Sequence, residues 1–388
     1  SCYDTNCFSP LDRLAKSILF FRFFLFLLII YLLSKFNILH YQYFFLVTAL
    51  SSLLLSLDII YQYIFGFNII GLKSYGFANS GFFGNEYIAG GYIQRFAFFT
   101  ILFTILVFKN KNYVKFIATA FVVIILGAGI LFSGNRMPLI LFIFGLFLLL
   151  IFDLKIKKIL IVNLVVFFIS LKFMISTNKE YESYIKDVYS SFYGSAVSII
   201  FKPLLPEKYK WTKQERSEKD KSLQQKTIFY EVKWDSYHKR ILLAAIDTWK
   251  VNKIFGNGIK SFREDCWKLE GADVNLGDDM LPNKKNRLCS NHPHQYYLEI
   301  LTETGIVGLV ITSIIALLFA VFIFKNFNFI KQISIENFIL LSAIISLILE
   351  TFPLKSTGSL FSTNNAAYLI LISSFILNYK TLIKINSS

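Results

Sequence analysis

Acidic residues are scarce: the 388-residue chain holds 25 Asp and Glu against 40 Lys and Arg, and charged residues of both signs make up only 17%. An ordinary soluble domain carries roughly 25% charged residues, so this chain has too little charge to wet a soluble fold. Proline is also sparse, at seven residues, and no low-complexity tract or internal repeat occurs. Those absences exclude a proline-rich linker and a repeat array. No Asp-x-Asp pair is present. The N-terminal stretch lacks the charged start, short apolar core and small-residue cleavage site of a signal peptide. The first residue is Ser rather than Met, so the sequence is expected to be a fragment.

Apolar residues dominate what remains, at 55% with 43 phenylalanines. The fold class expected from this is an all-α polytopic membrane protein. Runs long enough to cross a bilayer, about 20 residues each, occur near 17–34, 44–64, 90–108, 116–134, 137–153, 159–176, 298–324, 337–352 and 365–379. These nine predicted spans divide the chain into an N-terminal transmembrane bundle (1–176), a long loop (177–297) and C-terminal transmembrane helices (298–388). The formal net charge of +15 raises the question of a nucleic-acid partner. The basic clusters, however, sit in short loops between apolar runs, where the positive-inside rule puts them, and no nucleic acid is expected. Lys109, Lys111 and Lys115, then Lys155, Lys157 and Lys158, then Lys325 and Lys331, and finally Lys380 and Lys384 all fall on one side under this count. That side is the cytoplasm, so the first residue, Arg136 and the long loop lie outside.

Four cysteines fall as two pairs in polar segments, Cys2 with Cys7 and Cys266 with Cys289. On the outer face each pair is suited to a disulfide. A zinc set of Cys266, Cys289, His292 and His294 is the alternative, with tight His-x-His spacing against it. Within the loop, "RILLAAIDTWKVNKIFGNGIKSF" places Ile241, Ala244, Ala245, Thr248 and Trp249 at helical spacing, and Gly256 and Gly258 read as a helix stop. The expectation is an amphipathic helix on or near the membrane surface.

Three positions pair an unusual residue with an unusual place. Arg136 lies in a short turn between two spans; it either snorkels to the interface or receives an anion through paired guanidinium hydrogen bonds. Arg240 opens the amphipathic helix at the dipole's unfavourable end, a conflict that an anionic partner would remove and that an ordinary solvated arginine would simply bear. In "CSNHPHQYYLEILTETGIVGL" Asn291 or His292 suits an N-cap and Pro293 the first helical position. That puts His294 in the first turn of a helix running on into the next span, where the positive end disfavours imidazolium. His294 is then either a proton acceptor or part of the cap. Gln295, Glu299 and Glu303 share one stripe of this helix, and ionisable groups at membrane depth face a cavity or a partner. Two arginines, a histidine and a helix N-terminus suit a lipid-linked diphosphate.

The segment from His294 resembles the signature of the bacterial O-antigen ligase and O-antigen polymerase superfamily: His294, Gln295, nine residues, Gly305, two residues, then Gly308. "FSGNRMPL" looks like that family's Ser-Gly-Ser-Arg turn with Asn135 in place of the second Ser, and the Arg240 helix with its Gly-x-Gly-x-x-x-Phe ending looks like its periplasmic helix. "SGFFGNEYIAGGYIQR" (80–95) is similar to an external segment of some members. The resemblance covers roughly 17–375 and implies about twelve spans, so about three would precede this chain. It further implies a metal-independent, inverting glycosyltransferase of lipopolysaccharide assembly, without cofactor, in the bacterial inner membrane with its active site on the periplasmic side. The donor would be a glycan on undecaprenyl diphosphate, and the acceptor lipid A-core or a second lipid-linked glycan. Arg136 and Arg240 take the diphosphate roles and His294 the base role, with Gln295, Glu299 and Glu303 beside the substrate. The lysine-rich insert 202–233 departs from the pattern and leaves acceptor binding open. A transporter or flippase for lipid-linked sugars is the reading from another class.

Overall fold

The computed structural model describes residues 10–36, 38–76, 78–151, 157–176, 183, 237–268, 287–326, 333–356 and 358–386. Cys2, Cys7 and the insert 202–233 lie outside them. Two compact units are formed, Ser1–Leu171 with Tyr237–Ser388, and Lys172–Ser236. The second half of the predicted loop thus belongs with the apolar helices.

Among the described residues the fold is entirely helical, without a strand. The apolar runs become α1 (Pro10–Leu19), α2 (Arg22–Lys35), α3 (Tyr41–Phe65), α4 (Ala89–Val107), α5 (Asn112–Phe132), α6 (Arg136–Ile151) and α7 (Lys157–Ser176). Two helices of the polar segment follow, α8 (Tyr237–Val251) and α9 (Phe262–Lys268), and then α10 (Tyr296–Asn326), α11 (Ile335–Glu350) and α12 (Thr363–Asn386). Among the described residues six candidate spans are long and apolar enough to cross a membrane, the first running through α1 and α2 as Leu14–Lys35; α6 is apolar but shorter. On α10, Ile306, Val310, Ile311 and Ile314 are each about half exposed. Such a continuous apolar face is sustainable in lipid and not in water. The protein is a multi-pass membrane protein.

α4 lies at the centre, with Ile93, Ala97, Phe98, Ile101 and Leu102 fully enclosed. Small residues let its neighbours close on it and on one another. A Cβ at Gly145 of α6 would strike Phe98 and Leu349, and one at Gly129 of α5 would strike the backbone of Ser56 in α3. Without a hydrophobic drive between helices in lipid, such close approach and hydrogen bonds such as Ser52 Oγ to Thr100 Oγ1 (2.8 Å) supply the cohesion. At the far end of α3, Gly66 turns the chain in the left-handed region (φ 79°). Asp58 and Gln62 then fix the loop that follows, accepting from Ile69 N and Gly81 N respectively.

Candidate functional site

The polar residues gather at one end of the bundle, where α4, α6, α10 and α12 begin and α5 and α11 end. Gly134 (φ 74°) reverses the chain between α5 and α6. Asn135 then clasps the start of α4, accepting from Gly90 N (2.9 Å) and donating to Tyr87 O (2.9 Å). A hydroxyl donates only one hydrogen bond and is shorter, which gives the Asn in this turn a purpose. Arg136 follows, exposed, as the first residue of α6.

Arg240 lies in the first turn of α8. Its Nη2 donates to Arg287 O and its carbonyl accepts from Leu288 N, each at 3.3 Å. The neighbouring residues explain the attachment. Ile241, Ala244, Ala245, Phe262, Cys266, Leu288 and Cys289 form a small buried core, with Trp267 and Leu298 against it. The apolar face of α8 is therefore closed by protein; periodicity reveals a buried face but not what buries it. Cys266 and Cys289 form a disulfide (Cα to Cα 5.7 Å), which removes the zinc alternative by occupying both sulfurs. Outside this core Asp247 accepts from Arg287 Nε (2.5 Å) and Lys250 Nζ (3.2 Å). Partial burial works to raise the Asp247 carboxyl, but the hydrogen bonds from Arg287 and Lys250 outweigh it and hold the group below its usual range.

The expected helix start at Asn291 to Pro293 is corrected by the structure. α10 begins at Tyr296, and Gln295 caps it by accepting from Leu298 N (2.7 Å) while donating to Pro353 O (3.2 Å). His294 precedes the helix, in the left-handed region (φ 57°), its ring 4.1 Å from that of His292. A non-glycine residue held there is strained, and strain of this kind collects at functional positions.

A second correction concerns α10 itself, which is not one continuous helix. At Gly305 the backbone leaves the helical region (φ 68°, ψ −166°). The freed groups are taken up by the turn after α8. Asn257 N donates to Thr302 O and Gly258 N to Glu303 O, while Ile306 N and Val307 N donate to Lys253 O and Ile254 O. Gly256 (φ 73°) and Gly305 meet backbone to backbone, so a Cβ on either would collide with the other segment. The two glycine motifs are halves of one joint. Gly308 leaves room for the Thr304 side chain, which bonds Ile300 O.

Glu299 and Glu303 are each 2% exposed and fasten α10 to its surroundings. Glu299 accepts from Ser359 Oγ (2.5 Å) and Leu360 N (2.6 Å), and Glu303 from Lys260 N (2.6 Å).

One constellation escaped the sequence reading. Glu350, at the end of α11, accepts from Arg95 Nη2 (2.6 Å), Arg95 Nε (3.1 Å), Lys355 Nζ (2.6 Å) and Tyr296 OH (2.7 Å). Arg95 also donates to Asn365 Oδ1 (2.6 Å) and lies over the Tyr368 ring (4.9 Å). Burial pushes the Lys355 ammonium below its usual range, against the pull of the Glu350 carboxylate. The signal was available: Arg95 and Glu350 are opposite charges inside apolar runs, and such charges seek each other.

Among the described residues no group of three or more His, Cys, Asp or Glu is arranged to hold a metal ion. No curated protein and no solved structure matches the chain. Residues 120–313, half of the chain, match the family model described as O-Antigen ligase. That stretch takes in Arg136, Arg240, the Gly256 and Gly305 joint and His294, and by it the chain belongs to the O-antigen ligase family of ligase- and polymerase-type membrane proteins.

Proposed function

We propose that the protein transfers a glycan from undecaprenyl diphosphate to lipid A-core at the periplasmic face of the bacterial inner membrane. The observation that supports this reading best is a continuous chain of contacts between the segments bearing Arg136 and His294. Asn135 holds Gly90 at the start of α4, Arg95 of the same helix bonds Glu350, and Glu350 bonds Tyr296, two residues after His294. Rigid elements of this kind keep reacting groups in register.

In the proposed step His294 accepts the proton of an acceptor hydroxyl, whose oxygen forms a bond to the anomeric carbon of the glycan. The bond from that carbon to the diphosphate oxygen breaks, and the electron pair leaves with the undecaprenyl diphosphate. Arg136 and Arg240 balance the charge that develops there. A single displacement inverts the anomeric centre, and no metal takes part. His294→Ala is expected to abolish transfer in reconstituted vesicles while the protein still inserts. Retained transfer would remove His294 as the base. A labelled lipid-linked glycan offered both lipid A-core and a second lipid-linked glycan tests the acceptor, since product on the second would make the protein a polymerase.

A further inference from the structure

We propose that Lys260 and Arg263 form an anion-binding point that holds a phosphate group carried by one of the substrates. Lys260 lies between the Gly256 and Gly258 turn and α9, and Arg263 is the second residue of α9. Lys260 is held in the left-handed region (φ 61°), and its backbone N–H is committed to Glu303. Its ammonium and the Arg263 guanidinium lie within electrostatic range of Glu299 and Glu303. Those carboxylates, however, are engaged by neutral donors: the Ser359 hydroxyl and two backbone N–H groups. Among the described residues neither the Lys260 ammonium nor the Arg263 guanidinium makes a hydrogen bond or an ion pair.

Elsewhere Arg95, Lys355 and Arg287 each bond a carboxylate, and the buried Lys115 ammonium bonds neutral oxygens of Lys109 and Asn112. At this point one further residue, Ser261, has a donor left over. Arg263 Nε and Ser261 Oγ are both buried without a partner. A buried donor left unmet costs about 1–3 kcal/mol, so three neighbouring residues with unused donors point to a ligand rather than to chance. An ammonium, a guanidinium fork and a hydroxyl match the several oxygens of a phosphate. The field is favourable too. Burial and the Arg263 charge hold the Lys260 ammonium below its usual range, Arg22 adds a third cation, and an arriving anion would relieve the repulsion. Arg22 itself is anchored to Thr363 Oγ1 (2.8 Å).

That the phosphate belongs to a substrate rests on the glycosyltransfer reading; the anion point does not. The test uses the full chain in micelles with inorganic pyrophosphate as the probe, and reads acylation of Lys260 by an amine reagent through mass spectrometry. Pyrophosphate at about ten times its Kd is expected to slow acylation about tenfold. Unchanged acylation overturns the proposal, and so does loss of protection in the Arg136→Gln, Arg240→Gln double variant, because the point would then be part of the other arginines' site. Arg263→Gln is expected to weaken pyrophosphate binding about tenfold, the worth of one charge-assisted hydrogen bond. In transfer assays a raised KM of Arg263→Gln for the lipid-linked donor, or for the acceptor, identifies the carrier of the phosphate; unchanged values for both overturn the substrate assignment. Protection without any transfer by the unaltered protein would defeat the glycosyltransfer reading and leave the anion point standing.

Discussion

The N-terminal half of α10 is tied down on two sides by different chemistry. Toward α4, α11 and α12 the tie is ionic: Tyr296 joins Glu350, which Arg95 and Lys355 enclose. Toward α8 and α9 it is mostly backbone, the interlocked glycine turns with Glu303 bound to Lys260 N. Ionic partners with their demands met make a locked joint, since a buried charge without its counter-charge is costly. Carboxylates satisfied by neutral donors leave the neighbouring cations with capacity to spare. The first side is built for position and the second has room for a ligand.

Removing the charge on the locked side should have the largest effect. Glu350→Gln strands Arg95 and Lys355 and is expected to cost about 3–5 kcal/mol, read as a fall in the thermal unfolding midpoint in detergent. Glu303→Gln keeps an acceptor for Lys260 N and should cost only about 1 kcal/mol; equal losses would erase the distinction between the two sides. Replacing Cys266 and Cys289 by Ala opens a 23-residue separation and should remove about 3 kcal/mol of constraint on the second side, seen as earlier proteolysis of the 237–295 segment. Gly305→Ala forces a side chain into a left-handed backbone against the Ile254 carbonyl, at a cost of about 1–3 kcal/mol. Hydrogen exchange at Ile306 and Val307 should rise with it.

The smallest effect is a pH dependence. Asp247 has its folded pKa depressed by Arg287 and Lys250. Its contribution is therefore full above its unfolded value of about 3.9 and is lost as pH falls through the lower folded value. With side chains about a third exposed, the term stays under about 1 kcal/mol. Asp247→Asn should flatten that part of the acid unfolding curve and lower neutral stability by no more than that term, the two proteins converging in acid.

The apolar runs were legible because helix length and hydropathy survive in any packing. The Cys266 and Cys289 pairing was also readable, since spacing and polarity left few choices. The break at Gly305 was not, because Ile306 and Val307 continue the apolar pattern across it and the reason for the break lies some fifty residues earlier, at Gly256. His294 was placed one turn too far into the helix because Pro293 offers a good start that the chain declines, turning left-handed at the next residue. Arg95 and Glu350, 255 positions apart, each pass for an ordinary boundary charge until the fold brings them together.

The Gly305 break also works as a depth gauge. From there to Asn326 the helix rises about 31 Å, at about 1.5 Å per residue, close to the hydrocarbon thickness of about 30 Å. Were α10 to stand along the membrane normal, the joint would mark the waterline, and the exposed Ile254 and Phe255, at 58% and 71%, would meet lipid at that level. Lys260, bonded to Glu303 just before the break, would then lie near that level, where the headgroup of a lipid anchored by its tail would rest, with His294 farther along the chain toward water.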